Sequence, residues 1–225
     1  GCDKLFKNQK TRLVRQAKKL DFFDEYHVET PETVNDLLKD HMDFVKNNPR
    51  GYGYWIWKPM IIEKHLNNMK EGDVLFYLDA GSSIIENNED RMEFYVDILQ
   101  THDVIVFDEN QMFMNKFIKM NVIKEFGLEN SDIINSSIIE GGCVIVKKSE
   151  YALKFIKEWK EYLIKDNYKL VNDNLYGEKQ LDTFSEHRHD QAVLGILSRK
   201  SKRVKVCDGL YEVYHRGPIF HSRMT

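Results

Sequence analysis

The most restrictive feature of the sequence is a short apolar run, Val74–Leu78, that ends on an acid, Asp79. A run of this length, rich in β-forming residues, predicts a buried strand. Ala80 and Gly81 follow the acid, and the glycine would let a ligand approach the backbone closely. In open α/β sheets, ligands collect outside the carboxyl ends of the strands. The run therefore predicts a binding site at Asp79 and Gly81.

An aromatic block precedes this strand, in the segment Arg50–Pro59 (RGYGYWIWKP). Arg50 and Lys58 flank the block, and Pro59 suits the first turn of a helix, where its missing N–H costs nothing. Aromatic rings beside two cations and a nearby acid suit a phosphorylated sugar better than a plain core. The rings on which a base or sugar could stack are those of Tyr52, Tyr54, Trp55 and Trp57.

Strand-like and helix-like segments alternate along the chain, with no internal repeat and no Pro/Gly/Ser linker. This alternation predicts one α/β domain over residues 1–225, with a mostly parallel sheet flanked by helices. Predicted strands cover residues 26–28, 74–78, 104–107, 143–146 and 204–207. Residues 165–185 are polar and predict a surface loop, whereas Ser149 is expected to cap a long amphipathic helix.

The composition excludes several classes of protein. Lys and Arg number 33 against 36 Asp and Glu, which argues against a nucleic-acid partner because such a protein needs a basic face. No apolar run approaches the roughly 18 residues of a membrane span, and no signal pattern opens the chain. Three cysteines predict a reducing, cytoplasmic compartment. Because the sequence starts at Gly1, we expect that a membrane anchor or fused domains could lie upstream.

A second polar motif, Glu186–Gln191 (EHRHDQ), stands just before a predicted helix. Its two imidazoles, two acids and one guanidinium could bind a metal or a diphosphate, or supply a base. Capping of the helix by Asp190 is the structural alternative, but a cap would need only one of these residues. The motif therefore favours a functional site.

Two further segments leave alternatives open. Gly141 and Gly142 stand at the start of a predicted strand, where a β-bulge would explain them equally well. His215, Arg216 and His221 in the tail could fold over phosphates, although a disordered end is an equal alternative.

Three motifs together, Arg50–Pro59, YLDAG at 77–81 and EHRHDQ at 186–191, resemble a family of GT-A-type glycosyltransferases. The family occurs in bacterial surface-polysaccharide clusters and in some large viruses, and the resemblance spans roughly residues 10–200. It implies a GT-A-like, Rossmann-like fold. It also implies a nucleotide-diphosphate-sugar donor (a UDP-sugar is favoured), Mn²⁺ or Mg²⁺, and a glycan or lipid-linked acceptor, through which the enzyme could associate with a membrane.

The resemblance assigns roles to particular residues. Asp79 corresponds to the start of an Asp-X-Asp metal motif, and the strand at Glu140–Gly142 matches the segment that lies against the donor sugar in the family. Gly81 replaces the second acid of the metal motif, so water, the diphosphate, Asp190 or His215 would have to complete the metal shell.

The chemistry of transfer suggests the remaining roles. Arg50, Lys58, Arg188 and His189 would meet the donor and its phosphates. An inverting enzyme needs a carboxylate base on the acceptor side, for which Asp190 and Glu186 are the candidates, whereas a retaining enzyme needs none there.

Two other classes of protein remain as alternatives. A sugar nucleotidyltransferase would require a Gly-rich loop with Arg or Lys near the start, which the sequence lacks. A non-catalytic carbohydrate-binding module could carry the same aromatic wall, but it has no use for Asp79 at a strand end or for the motif at 186–191.

Overall fold

The computed structural model describes residues 7–85, 89–209 and 219–221, which form one mixed α/β domain. Its main sheet has the strand order β1-β4-β3-β5. The strands are β1 (Val74–Leu78), β3 (Val104–Phe113), β4 (Ser137–Lys147) and β5 (Val204–Cys207). Two short strands, β2 (Ser82–Ile84) and β6 (Ile219–His221), form a separate antiparallel pair.

The main sheet is mixed, which corrects the prediction of a mostly parallel sheet. Strand β4 lies between β1 and β3 and runs antiparallel to both, and the pair β3 and β5 is parallel. Because β4 alone is reversed, β1, β3 and β5 still point the same way. The carboxyl ends of β1 and β3 therefore meet the amino end of β4 at one edge, which brings Asp79 beside Gly142.

Helices cover both faces of the sheet. The helical segments are α1 (Lys7–Leu20), α2 (Pro31–Leu37), α3 (Met42–Asn47), α4 (Gly51–Tyr54), α5 (Trp57–Asn68), α6 (Glu89–Ile98), α7 (Met114–Phe117), α8 (Met120–Glu125), α9 (Glu150–Tyr168) and α10 (His189–Lys200). Short 3-10 turns occupy Lys39–His41 and Asp132–Asn135. Of the helices in the described ranges, none has the length and apolar character to cross a membrane.

The two hydrophobic cores follow from the alternation of side chains along the strands. Val104 and Val106 of β3 face the core beneath α5, α9 and α10. Ile105 and Phe107, the alternate residues of the same strand, face a smaller core that includes α1 and α6. Because successive residues of β3 point to opposite faces of the sheet, each face carries its own hydrophobic core and its own layer of helices.

Some of the local predictions are confirmed and others are wrong. The predicted strands at 74–78 and 204–207 match β1 and β5, and Ser149 caps α9 by accepting from the backbone N–H of Ala152 at 3.0 Å. The predicted strand at 26–28 is wrong, because those residues pair with no strand and Val28 is 47% exposed. The predicted surface loop at 165–185 is wrong in part, since Leu170 and Val171 are fully buried.

Candidate functional site

Lys58 joins three separate segments of the chain at the edge of the sheet. The residue lies in the first turn of α5, and its side chain is only 4% exposed. Its Nζ lies 3.2 Å from Oδ2 of Asp79 and 3.3 Å from Oδ2 of Asp190. It also donates a hydrogen bond of 2.8 Å to the carbonyl of Gly141. Because both carboxylates contact the same Nζ atom, they must lie close to each other. The structure therefore brings together the two acids that the sequence predicted at one edge.

The electrostatics of this cluster differ between its two acids. Burial lowers the pKa of Lys58, but the carboxylates of Asp190 and Asp79 outweigh it and raise the pKa above its usual value. Burial raises the pKa of Asp79, yet Lys58 and a 2.6 Å hydrogen bond from the Tyr77 hydroxyl bring it below its usual value. Burial raises the pKa of Asp190 to about 6, and Lys58 opposes this only in part. Asp79 and Lys58 are therefore charged at neutral pH, and Asp190 titrates near it.

Access to the cluster is through Asp79, whose side chain is 28% exposed, whereas that of Asp190 is 3% exposed. Gly141 keeps the cluster open, because a Cβ there would lie 2.7 Å from Cγ of Gln191 and 3.2 Å from Oδ2 of Asp190. Close packing thus explains Gly141, and the expected bulge is also present, because the register of β4 against β3 shifts between the pairs Val106–Val144 and Asp108–Ile139, on either side of the two glycines. Gly142 accepts a 2.8 Å hydrogen bond from the backbone N–H of Asp79, and Gly81 lies in the turn that follows.

A second pair of acids, Glu109 and Glu140, lies at the same edge, and the sequence patterns did not single out this pair. Gln191 donates 3.0 Å hydrogen bonds to Oε1 of Glu109 and to the carbonyl of Ile139. Burial and the neighbouring Glu140 carboxyl together raise the pKa of Glu109 to about 7, against the opposing effects of Gln191 and Arg188. Glu109 is the second residue after the buried half of β3, so the rule that found Asp79 leads first to Asp108 and only then to its neighbour Glu109.

Arg50, Glu186 and Arg188 form a group of their own, which we call the arginine cluster. The Glu186 carboxylate lies 2.8 Å from Arg188 and 3.3 Å from Arg50, through different oxygens. Arg50 also lies 3.9 Å from Asp173. Both oxygens of Glu186 are therefore engaged by guanidinium groups.

The two histidines of the EHRHDQ motif are structural anchors. His187 and His189 are 3% and 1% exposed, and their rings donate 2.8 Å hydrogen bonds to the carbonyls of Leu170 and Val171. Burial lowers the pKa of His187 well below its usual value and that of His189 to about 4. Both rings are therefore neutral and enclosed at neutral pH, so the predicted contact of His189 with phosphate is wrong.

The aromatic block folds into a left-handed turn. Tyr52, Tyr54 and Trp55 have φ angles of 55°, 54° and 62°, and Gly51 and Gly53 have 58° and 82°. Left-handed backbone costs roughly 1–2 kcal/mol per non-glycine residue, and such strain is typically found at functional sites. The two glycines reduce that cost, and a side chain at Gly51 would collide with the ring of Trp55.

The rings of this block divide between the core and the site. Trp57 is 4% exposed and donates its indole N–H to the carbonyl of Gly51, so it is a core residue and its predicted stacking with a ligand is wrong. Tyr54 stacks on His189 with ring centroids 4.4 Å apart. The Trp55 ring lies 5.9 Å from Nζ of Lys58 and 5.7 Å from the ring of His189. It therefore lies between His189 and the group of Lys58, Asp79 and Asp190, which we call the lysine cluster.

The described residues do not provide a ligand set for Mn²⁺ or Mg²⁺. No group of three or more His, Cys, Asp or Glu residues is arranged to hold a metal within the described part of the chain, and His215 lies outside it. Asp79 is the accessible acid, but its oxygens already contact Tyr77 and Lys58. Mg²⁺ typically keeps several waters and is held by one or two carboxylates together with substrate phosphates, so Asp79 would hold a cation only together with a bound diphosphate.

Comparison with known proteins adds little. No protein-family model matches the chain, and no curated protein matches it. Among solved structures, the apo form of mouse xyloside xylosyltransferase 1 is similar with a TM-score of 0.46 and 11% identity, over 86% of this chain and 72% of that chain. This similarity is too low to support an argument about activity.

Proposed function

We propose that this chain is a glycosyltransferase that moves a sugar from a nucleotide-diphosphate donor, with a UDP-sugar favoured, to a glycan or lipid-linked acceptor. The observation that carries the proposal is the cluster of Asp79, Lys58 and Asp190 at the sheet edge. Burying three charged groups costs several kcal/mol per ion before pairing, which a well-packed apolar core would avoid. The motifs that resemble glycosyltransferases are the ones that build this cluster.

The geometry supports a division of labour between its residues. The donor sugar would lie against Gly141 and Gly142, where Asp79 can accept hydrogen bonds from sugar hydroxyls. Lys58 holds Asp79 and Asp190 in place and offsets their charge. Arg50 and Arg188, whose side chains are 45% and 21% exposed, are the cations that could meet the diphosphate by exchanging Glu186 for it.

In the transfer, the bond between the sugar C1 and the diphosphate oxygen breaks, and a bond from C1 to the acceptor oxygen forms. The acceptor hydroxyl loses its proton to a base. Asp190 is the proposed base in an inverting reaction, because a carboxylate with a pKa of about 6 is ionised at neutral pH and still basic enough to take a proton. Since its side chain is 3% exposed, the acceptor hydroxyl would have to reach it from the side of Asp79, the accessible acid of the cluster. In a retaining reaction the leaving diphosphate would accept that proton, and Asp190 would position the sugar.

The proposal includes Mn²⁺ or Mg²⁺, which would bind together with the donor. A hard cation would neutralise charge on the leaving diphosphate. Of the described residues, Asp79 is the candidate metal ligand. The roles proposed for Lys58, Asp190 and the arginines do not depend on the metal.

The test is a thermal-shift panel of UDP-, GDP- and CMP-sugars and their free nucleotides on the whole chain, each with and without Mn²⁺, followed by assays of free nucleotide release. Stabilisation by one nucleotide class, with turnover of its sugar, is expected. Asp79→Asn should abolish both effects, whereas Asp182→Asn, which removes an exposed acid, should not.

No stabilisation and no nucleotide release across the panel would contradict the proposal. Saccharide binding without nucleotide binding would favour a carbohydrate-binding module. Release of pyrophosphate from a nucleoside triphosphate and a sugar phosphate would favour a nucleotidyltransferase.

A further inference from the structure

A cavity of about 560 Å³ opens beside the arginine cluster, between α3, the end of α9 and the segment 172–176. Its volume is within the range of small-molecule sites, which is about 300–1,000 Å³. None of Lys58, Asp79 and Asp190 lines it, so it is distinct from the lysine cluster.

The polar lining of this cavity suits hydroxyl groups. Five asparagines and three aspartates, Asp40, Asp43 and Asp173, line it, and the described lining residues include no lysine or arginine. Asparagine amides both donate and accept hydrogen bonds, and aspartates accept them, which together match the hydroxyls of a sugar. An anionic ligand would meet three carboxylates, so the cavity disfavours phosphates and uronic acids.

The apolar part of the lining consists of aromatic rings. Phe44 and Tyr168 stack with centroids 3.7 Å apart, and Tyr54 and Tyr176 also face the cavity. Ring faces provide flat apolar area against which the C–H face of a sugar can pack. Tyr176 is 43% exposed and is therefore available to a ligand at the rim.

Strained backbone is concentrated on the same lining. Tyr54, Asn167, Tyr168 and Tyr176 have φ angles of 54°, 53°, 63° and 54°. Non-glycine residues adopt this conformation at a cost of order 1–3 kcal/mol, and such residues persist where the surrounding structure fixes them for a function.

The walls of the cavity are fixed before any ligand binds. The buried Lys119 donates hydrogen bonds of 2.6 Å and 3.1 Å to the carbonyls of Asn172 and Asn174. Tyr54 donates a 2.8 Å hydrogen bond to Asp173, and His41 and the Tyr168 hydroxyl are 2.7 Å apart. A site that is already ordered loses little entropy when it binds a ligand.

The cavity is connected to the proposed transfer site by short contacts. Tyr54 lines the cavity and stacks on His189, the residue before Asp190. His189 donates through Nδ1, so its Nε2 offers a lone pair; this atom is buried, has no hydrogen-bond partner and lies 3.7 Å from Oδ1 of Asp173.

From these features we propose that the cavity binds a neutral or amino sugar of the acceptor. The assignment of this sugar to the acceptor rests on the proposed function, whereas the binding of a saccharide in the cavity does not. A lipid-linked acceptor would accordingly place its sugar here and keep its phosphates outside, away from Asp40, Asp43 and Asp173.

The test uses saturation-transfer difference NMR on the whole chain, with methyl glycosides of glucose, galactose, mannose, glucosamine and N-acetylglucosamine, and with the glucuronic acid glycoside. At least one neutral or amino glycoside should bind saturably, and the glucuronide should bind more weakly. Tyr176→Ala should weaken binding about 3- to 10-fold, the value of one lost aromatic contact. Asn47→Ala, at an exposed lining residue, should also weaken it.

Phe94→Ala is the matched control, because Phe94 is 42% exposed but lies on α6, outside the cavity. Absence of saturable binding by every neutral and amino glycoside would overturn the inference, as would unchanged binding in both cavity variants or equal weakening by Phe94→Ala. Glycoside binding at the cavity without any nucleotide-sugar binding would uphold the inference and refute the transferase. Nucleotide-sugar turnover without glycoside binding would support the transferase and overturn the inference about the cavity.

Discussion

The ammonium of Lys58 lies 3.3 Å from Oδ2 of Asp190, and it is also the partner of Asp79. The lysine comes from the aromatic block and the acids from a strand end and a helix start, so one cation fixes the relative positions of three motifs. Because both side chains are almost fully buried, at 4% and 3% exposed, water cannot solvate either charge if the other is removed.

Lys58→Met should strongly destabilise the chain. Removing the cation leaves Asp190 buried and opposite Asp79, and breaking a buried pair in this way typically costs about 3–5 kcal/mol. Urea unfolding measures the change. Lys157→Met, at an exposed pair with Glu161, is the control and should cost no more than about 1 kcal/mol. Adding Asp190→Asn to Lys58→Met should recover part of the loss; a cost for Lys58→Met as small as that of the control would show that the pair is not stabilising.

Activity should fall as the pH drops below about 6, because protonation of Asp190 removes the proposed base. The profile of kcat/KM against pH measures this, and Asp190→Asn should lower kcat by about 10²–10⁴-fold while changing KM for the donor much less. If the variant keeps both its rate and the acidic limb, Asp190 is not the base. A proportionate loss of donor affinity would instead assign it to donor binding.

Glu109 should make the chain more stable as the pH falls. Its pKa is about 7 in the folded chain against an ordinary 4.5, so the folded state holds the proton more tightly. The resulting stability is fully present below pH 4.5 and is lost as the pH rises through 7. In Glu109→Gln, the free energy of unfolding should therefore change less between pH 5 and pH 7.5 than in the wild type. An equal slope in the two proteins would show that Glu109 is not the group responsible.

Gly141→Ala should disturb the cluster without removing any charge. The new methyl group would lie 2.7 Å from Gln191 and 3.2 Å from Asp190, and overpacking of this kind costs about 1–3 kcal/mol. Thermal unfolding and nucleotide-sugar binding should both weaken. Ser137→Ala, at the first residue of the same strand, serves as the comparison. Gly141→Ala with unchanged unfolding and binding would show that the close approach at this glycine is not needed.

Much of the local structure could be predicted from the sequence, because it depends on neighbouring residues. The apolar runs of β1 and β5 and the cap at Ser149 are signals of this kind. The position of β4 between β1 and β3 depends on pairing between distant segments, which local patterns do not encode. The reversed strand was therefore mistaken for one more parallel strand.

The candidate site shows the same division. Asp79 and Asp190 were found because an acid after a buried strand and an acid at a helix start are local patterns. Their common partner Lys58 was expected to meet phosphate, and only the fold shows that it faces the acids. His189 was assigned to phosphate because a polar motif does not reveal that its ring is enclosed by the apolar segment around Val171.

The most direct test of the account is the binding of nucleotide-diphosphate sugars by the wild-type chain and by Asp79→Asn, measured by isothermal titration calorimetry with and without Mn²⁺. The account predicts saturable binding of one nucleotide class to the wild type and its loss in Asp79→Asn, whose fold should be unchanged by circular dichroism. Equal binding by the two proteins would remove the sheet edge from the donor site. Absence of binding by the wild type to every donor would contradict the proposed transferase.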